Sequence, residues 1–152
     1  MTHSEKATAL FMEGYNCAQS VFLAFEDMYE LDRKTALRIS SGFGGGMGRL
    51  REVCGCVSGA FMAAGLLMGY DDVADLEGKK ETYSMIQTIA NAFRDEQGSI
   101  ICREILKLRQ EKVSPVPSAR TEEYYKTRPC ASLCGLAAQI LDDYLSEVKS
   151  EQ

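Results

Sequence analysis

Residues 53–70 read VCGCVSGAFMAAGLLMGY, eighteen positions without a charged side chain, four of them glycine. A stretch of that length just reaches the lower limit for crossing a bilayer, so it is either a membrane span or a buried helix. Its glycines and two cysteines, and the amphipathic segments on either side that need an apolar partner, favour a buried central helix. The rest of the fold is read outward from it.

Upstream, Thr2 and Glu5 resemble a capping box, and Ala7, Leu10 and Phe11 recur at helical spacing up to Gly14. Asn16 with Gln19 three residues on starts a second helix, or continues the first past Gly14, with Val21, Phe22, Phe25, Met28 and Tyr29 as its apolar stripe. Asp32 caps a third through Ile39. Gly42-Phe43-Gly44-Gly45-Gly46-Met47-Gly48 is too costly in entropy for regular structure and reads as a loop.

Downstream, Asp71, Asp72 and Asp75 lead into a helix with Tyr83, Ile86, Ile89, Ala90 and Phe93 on one face, closed by Gly98. Ser99 caps the next, with Ile101, Ile105 and Leu108 inward, before Ser114-Pro115-Val116-Pro117-Ser118 breaks the chain. Residues 111–128 read as an ordered loop or flap. Pro129 opens a last helix striped by Leu133, Leu136, Ala137, Ile140, Leu141, Tyr144 and Val148. No segment reads as a strand. The expected fold is all-α, a single compact bundle of about six helices over residues 1–152, with the glycine-rich helix at its centre.

The chain has 152 residues, 45% of them hydrophobic, which suits one domain with a proper core. Its 22 acidic residues against 17 basic ones leave a net charge of −5 and no basic stripe, which argues against nucleic-acid binding. The polar start, Met1 to Lys6, shows no export signal and predicts a cytoplasmic protein.

Six cysteines, at 17, 54, 56, 102, 130 and 134, stand out in such a chain. Reducing cytosol keeps structural thiols open, so chemistry or metal explains them better than a disulfide framework. Cys17 follows the Asn16 cap, Cys102 the Ser99 cap and Cys130 the Pro129 start, while Cys54 and Cys56 open the central helix. Helix starts favour a thiolate over a thiol, because free amides and the positive end of the macrodipole lie there.

The spacing excludes a Cys-x-x-Cys redox site and c-type haem. His3 is the single histidine, in a terminus expected to fray, so a metal site would be all-cysteine or include carboxylate. Cys130 and Cys134 stand one turn apart on one face, with Cys134 in an apolar setting that suits core packing. The glycine loop matches neither dinucleotide nor P-loop patterns. Its amides, from Gly44, Gly45 and Gly46 with Arg49 or Arg51 beside them, are candidates for holding an anion, thiolates or a cluster. Gly55-x-x-x-Gly59 and Gly65-x-x-x-Gly69 let another helix approach closely, within the bundle or across a homodimer.

Asn16-Cys17-Ala18-Gln19-Ser20-Val21, Ser41 to Arg49, Cys54-Gly55-Cys56-Val57-Ser58-Gly59 and the cysteines at 102 and 130 together resemble the C_GCAxxG_C_C family, described as redox-active. The family's Cys-Gly-Ala-x-x-Gly falls on Cys54, Gly55 and Gly59, with Cys56 where alanine is usual. The resemblance implies redox or metal chemistry on Cys17, Cys54, Cys102 and Cys130, with Cys56 as a further metal-ligand candidate and Cys134 outside the motif.

Three functions compete. Cys17, Cys54, Cys102 and Cys130 bind an iron-sulfur cluster or another thiophilic metal for electron transfer. Alternatively, Cys54 attacks and Cys17, Cys56 or Cys102 resolves, in dithiol chemistry with a redox partner protein. In the third, the protein is a helical binding module whose cysteines pack. Both redox readings need the helix starts to converge. Cysteine-bearing starts alternate along the chain, and the long connection after residue 111 returns it before Cys130, which predicts all four sulfurs in one pocket walled by the glycine loop.

Overall fold

The computed structural model describes residues 1–108 and 113–151. Its regular elements are helical: α1 (His3–Met12), α2 (Cys17–Ala24), α3 (Arg33–Ser40), α4 (Gly44–Met47), α5 (Gly55–Met68), α6 (Leu76–Gln97), α7 (Cys102–Ile105), α8 (Glu122–Thr127) and α9 (Cys130–Ser150), with a 3-10 turn at Ser41–Phe43. Six of these, α1, α2, α3, α5, α6 and α9, run eight residues or longer.

Local chemistry starts the helices as read. Thr2 Oγ1 accepts from the Glu5 N–H at 3.0 Å, Asp32 accepts from Thr35, and Asn16 and Gln19 form a reciprocal capping box. Tertiary packing then uses the apolar stripes: α1 lies along α9, and α2 along α5. Phe11, Leu23, Phe25, Ile89, Phe93 and Leu141 are fully buried between them. Burial of such side chains is worth about 1.5–3 kcal/mol each.

The glycine-rich segment is a buried helix over its first two turns, with Gly55 to Ala60 inaccessible. A methyl at Gly59 would stand 2.6 Å from the Ala18 carbonyl, so the first glycine pair is what lets α5 close on α2. The second pair has no such use in this chain: nothing lies within 4 Å of a methyl built on Gly65, and Leu66 and Met68 are exposed. Among the described residues no helix is long and apolar enough to cross a membrane.

Several expectations are corrected. The helix expected after Ser99 is one turn, Cys102–Ile105, ended by Lys107 with φ of 55°. Its entry is diverted: an antiparallel bridge joins Val53 to Ile101, with Cys54 N–H donating to Ile100 O at 2.7 Å and Cys102 N–H to Glu52 O at 2.6 Å. Backbone groups occupied across two segments cannot also extend a helix. The loop expected over 111–128 contains α8, capped by Thr121, while residues 111 and 112 lie outside the described residues. On α6 the buried face holds Met85, and Tyr83 is exposed.

His3 is not frayed. Its Nδ1 and Nε2 each lie 2.8 Å from a carboxylate, of Asp142 and Asp27, and its ring stacks on Phe25 at 4.3 Å between centroids. The α1 terminus is thereby tied to α9 and to the segment after α2.

Candidate functional site

The glycine segment, α4 and the residues after it, is the least ordinary backbone among the described residues: it closes as a helical turn but is left-handed from Gly45 to Arg49. Gly45, Gly46, Met47, Gly48 and Arg49 all have positive φ, between 61° and 73°, and Arg51 follows at 63°. Left-handed backbone costs L-residues roughly 1–2 kcal/mol each, so the glycines make the turn affordable while Met47, Arg49 and Arg51 carry strain. Hydrogen bonds close it: Arg49 N–H to Gly44 O at 3.1 Å and Glu52 N–H to Gly46 O at 2.9 Å. The chain leaves this turn directly into the bridge that places Cys54 and Cys102.

A cavity of about 440 Å³ opens beside it. Cys17, Cys54, Cys102 and Cys130 all line that cavity, together with Cys56 and with Gly44, Gly45 and Arg49. The expected convergence of four helix starts is therefore the geometry observed. Each start arrives differently: Cys17 as first residue of α2, Cys130 as first residue of α9, Cys54 as the cap residue of α5, and Cys102 as first residue of the single-turn α7. Gly46 does not line the cavity but packs behind it, where a methyl would stand 2.6 Å from Cys102 Cβ.

All six cysteines are free thiols; Cys17 and Cys130 are half-buried and the rest buried. Cys56 joins the group. Its sulfur lies 3.4 Å from Cys134 Sγ and 4.0 Å from the Cys130 carbonyl, and it adjoins Cys17 and Cys54. Cys134 Sγ donates in turn to the Cys17 carbonyl at 3.9 Å. Reading Cys134 as a plain core residue missed this contact, and the only sequence signal for it was its one-turn spacing from Cys130.

These surroundings divide the thiols. The neighbouring Cys56 thiol, a donor to the Cys17 sulfur, holds Cys17 down at about 6 against the effect of burial, helped by the Gly45 amide, its own amide at the helix start and the Arg120 charge. Burial acts the other way on Cys56, Cys102, Cys130 and Cys134. It pushes Cys130 up to about 12, raises Cys56 and Cys134, and raises Cys102 in spite of the Arg51 guanidinium 3.6 Å from its sulfur. Cys17 is thus a ready thiolate, partly reachable from the cavity.

Among the described residues no three His, Cys, Asp or Glu side chains are arranged to hold a metal ion. The sulfurs turn toward separate partners, Cys102 to Arg51, Cys134 to the Cys17 carbonyl and Cys56 to Cys134. Of the four expected ligands, Cys102 faces the Arg51 guanidinium, and no metal centre on Cys17, Cys54, Cys102 and Cys130 is shown among the described residues.

A family model described as "Putative redox-active protein (C_GCAxxG_C_C)" matches residues 15–144. The chain belongs to the C_GCAxxG_C_C family. The match contains all six cysteines and the left-handed glycine turn, so in this C_GCAxxG_C_C protein the cysteine cavity and the family signature coincide. No curated protein and no solved structure matches the chain.

Arginines also face the cavity, and sequence reading found only part of them. Arg49 donates to Ser114 O at 3.0 Å, and Arg120 donates to the Phe11 and Tyr15 carbonyls at 2.8 and 2.9 Å while lying 4.0 Å over the Phe11 ring. Arg128 rests 5.7 Å from the Tyr124 ring centroid. Arg120 and Arg128 sit in a segment that reads as connection, and no local pattern points them at a site.

Proposed function

We propose that this C_GCAxxG_C_C protein is a dithiol–disulfide redox protein in which Cys17 attacks and Cys56 resolves. The observation that carries the reading is Cys17: a half-buried thiol at the cavity, held at about 6, with a protonated thiol beside it. Cys54, the attacking residue expected from sequence, is buried at 6% exposure and less open to a substrate.

In the first step the Cys17 thiolate attacks one sulfur of a substrate disulfide. A Cys17–substrate mixed disulfide forms, the substrate S–S bond breaks, and one substrate thiolate leaves. In the second, the Cys56 thiol gives its proton to that thiolate and its sulfur attacks Cys17 Sγ, releasing the other substrate thiolate, which takes its proton from water. The dithiol loses two electrons to the disulfide, which becomes two thiols. The sequence of events follows from the environments: burial and then the neighbouring thiols keep Cys56 protonated while Cys17 is charged, and consuming that charge removes one of those influences. A dithiol of a redox partner protein restores the starting state by the reverse exchange.

Reduced protein treated anaerobically with neutral 2-hydroxyethyl disulfide is expected to gain one adduct on Cys17, then lose it as a Cys17–Cys56 disulfide appears by peptide mass mapping. An adduct confined to other cysteines overturns the reading. The iron-sulfur reading is favoured by the number of thiols on one cavity but not by their arrangement. Iron and acid-labile sulfide in anaerobically purified protein would put that reading in place of the dithiol one.

A further inference from the structure

The chain as a whole is acidic, at −5, yet among the described residues the cavity lining contains four arginines, Arg49, Arg51, Arg120 and Arg128, and no aspartate or glutamate. Among the described residues none of the four is ion-paired with a carboxylate; the ion pairs there join His3, Lys6 and Arg33 to Asp27, Asp142 and Glu26. Their partners are instead carbonyls, a serine hydroxyl, a thiol and aromatic rings.

Such a grouping works against itself. Burial, and then the charges of Arg51 and Arg128, lower the proton affinity of Arg49. Like charges focused into a partly apolar cleft raise the local concentration of counter-ions of opposite sign. Among the described residues of the lining, four guanidinium charges face no carboxylate, and the Cys17 thiolate offsets only part of them.

The same lining includes Phe11, Ile105, Leu106, Pro115, Pro117 and Leu133, so an organic body with charged ends fits it better than a bare inorganic anion. A volume of about 440 Å³ is that of a small-molecule site and admits no protein domain.

Resting on the dithiol reading above, we propose that the substrate is a small organic disulfide carrying two or more carboxylates, drawn in and oriented by the Arg49, Arg51, Arg120 and Arg128 guanidiniums. The cations act twice. They bind the carboxylates, and they stabilise the anionic sulfur that departs when Cys17 attacks, which speeds exchange by making the leaving thiolate a weaker base. Balance is that of the steps given: the dithiol is oxidised to a disulfide, and the substrate is reduced to two carboxylate-bearing thiols.

The test compares three small disulfides with reduced full-length protein at low ionic strength: dianionic 3,3′-dithiodipropionate, neutral 2-hydroxyethyl disulfide and dicationic cystamine. Each rate of Cys17 oxidation is divided by the rate of that disulfide with a free thiol. The expected order is dianion, neutral, dication, with the dianion advantage tenfold or more and shrinking as salt is added. Arg49→Gln and Arg128→Gln are each expected to lower the dianion-to-neutral ratio about threefold or more, while Lys80→Gln, an equal charge loss on the exposed face of α6, leaves that ratio as it was. Equal normalised rates for all three, or cystamine fastest, overturn the anionic substrate while leaving the dithiol reading in place. Failure of all three disulfides to oxidise Cys17 overturns both.

Discussion

Cys56 Sγ lies 3.4 Å from Cys134 Sγ, both completely buried, one from the first turn of α5 and the other from the second turn of α9. A disulfide needs about 2.05 Å between sulfurs, so the pair is in contact but not bonded. Because burial raises both thiols, neither starts an exchange; either can only receive one begun at Cys17. After treatment with a small disulfide, Cys56→Ala is therefore expected to accumulate the Cys17 mixed disulfide. Cys134→Ala should still clear it. Intact-mass time courses check this, and clearance at equal rates in both variants would remove Cys56 from the resolving role.

The charge on Cys17 depends first on Cys56. Iodoacetamide labelling of Cys17, followed by peptide mass mapping, should be half-maximal near pH 6, since a lowered thiol is ionised above that point. Cys56→Ala removes the principal donor and should move the midpoint upward, toward the ordinary thiol range of about 8.5. A midpoint unmoved in the variant would mean that the amides and Arg120 suffice.

The left-handed turn separates two costs of adding a methyl. Gly98 has φ of 82° and nothing within 4 Å, so Gly98→Ala meets only the backbone penalty, roughly 1–2 kcal/mol. Gly46 has φ of 73° and a methyl there would meet Cys102 Cβ at 2.6 Å and Arg51 Cα at 2.8 Å, which adds about 1–3 kcal/mol of overpacking. Urea unfolding under reducing conditions should rank Gly46→Ala as clearly the more damaging.

His3 makes stability depend on pH. Burial lowers the imidazole's proton affinity, but the hydrogen bonds and charges of Asp142 and Asp27 outweigh it and leave the pKa raised above 6.5. A raised histidine stabilises the fold fully below the unfolded value and loses that contribution as pH rises through the folded one. The melting temperature of wild type should exceed that of His3→Gln by more at pH 5.5 than at pH 8.5, both with reductant present. The gap is small, because the imidazole and Asp27 are partly solvated and solvent screens the pair. A gap that widens with pH would contradict the pairing.

The helices were readable because their starts are local chemistry. Thr2, Asn16 and Asp32 each satisfy amides within three residues, and the stripes of α1, α2 and α9 repeat at the helical period. The helix expected after Ser99 failed for the opposite reason. Its backbone groups at 100–103 are taken by residues 51–54, a competitor about fifty positions away that no window of sequence contains.

The same division runs through the site. By itself the sequence determined that cysteines stand at helix starts beside a glycine turn, since caps, turn residues and cysteine positions are properties of neighbouring residues. It also placed Cys17 next to a capping residue, where free amides favour its thiolate. Only tertiary structure decided which thiol is charged, because the largest influence on Cys17 comes from Cys56 on another helix. Only tertiary structure brought Arg120 and Arg128 to Arg49 and Arg51, converting an acidic chain's scattered cations into one positive cavity. Thiol ionisation and local potential depend on distances across the fold. Such distances are set when α2, α5 and α9 pack, and not by the order of residues along any one of them.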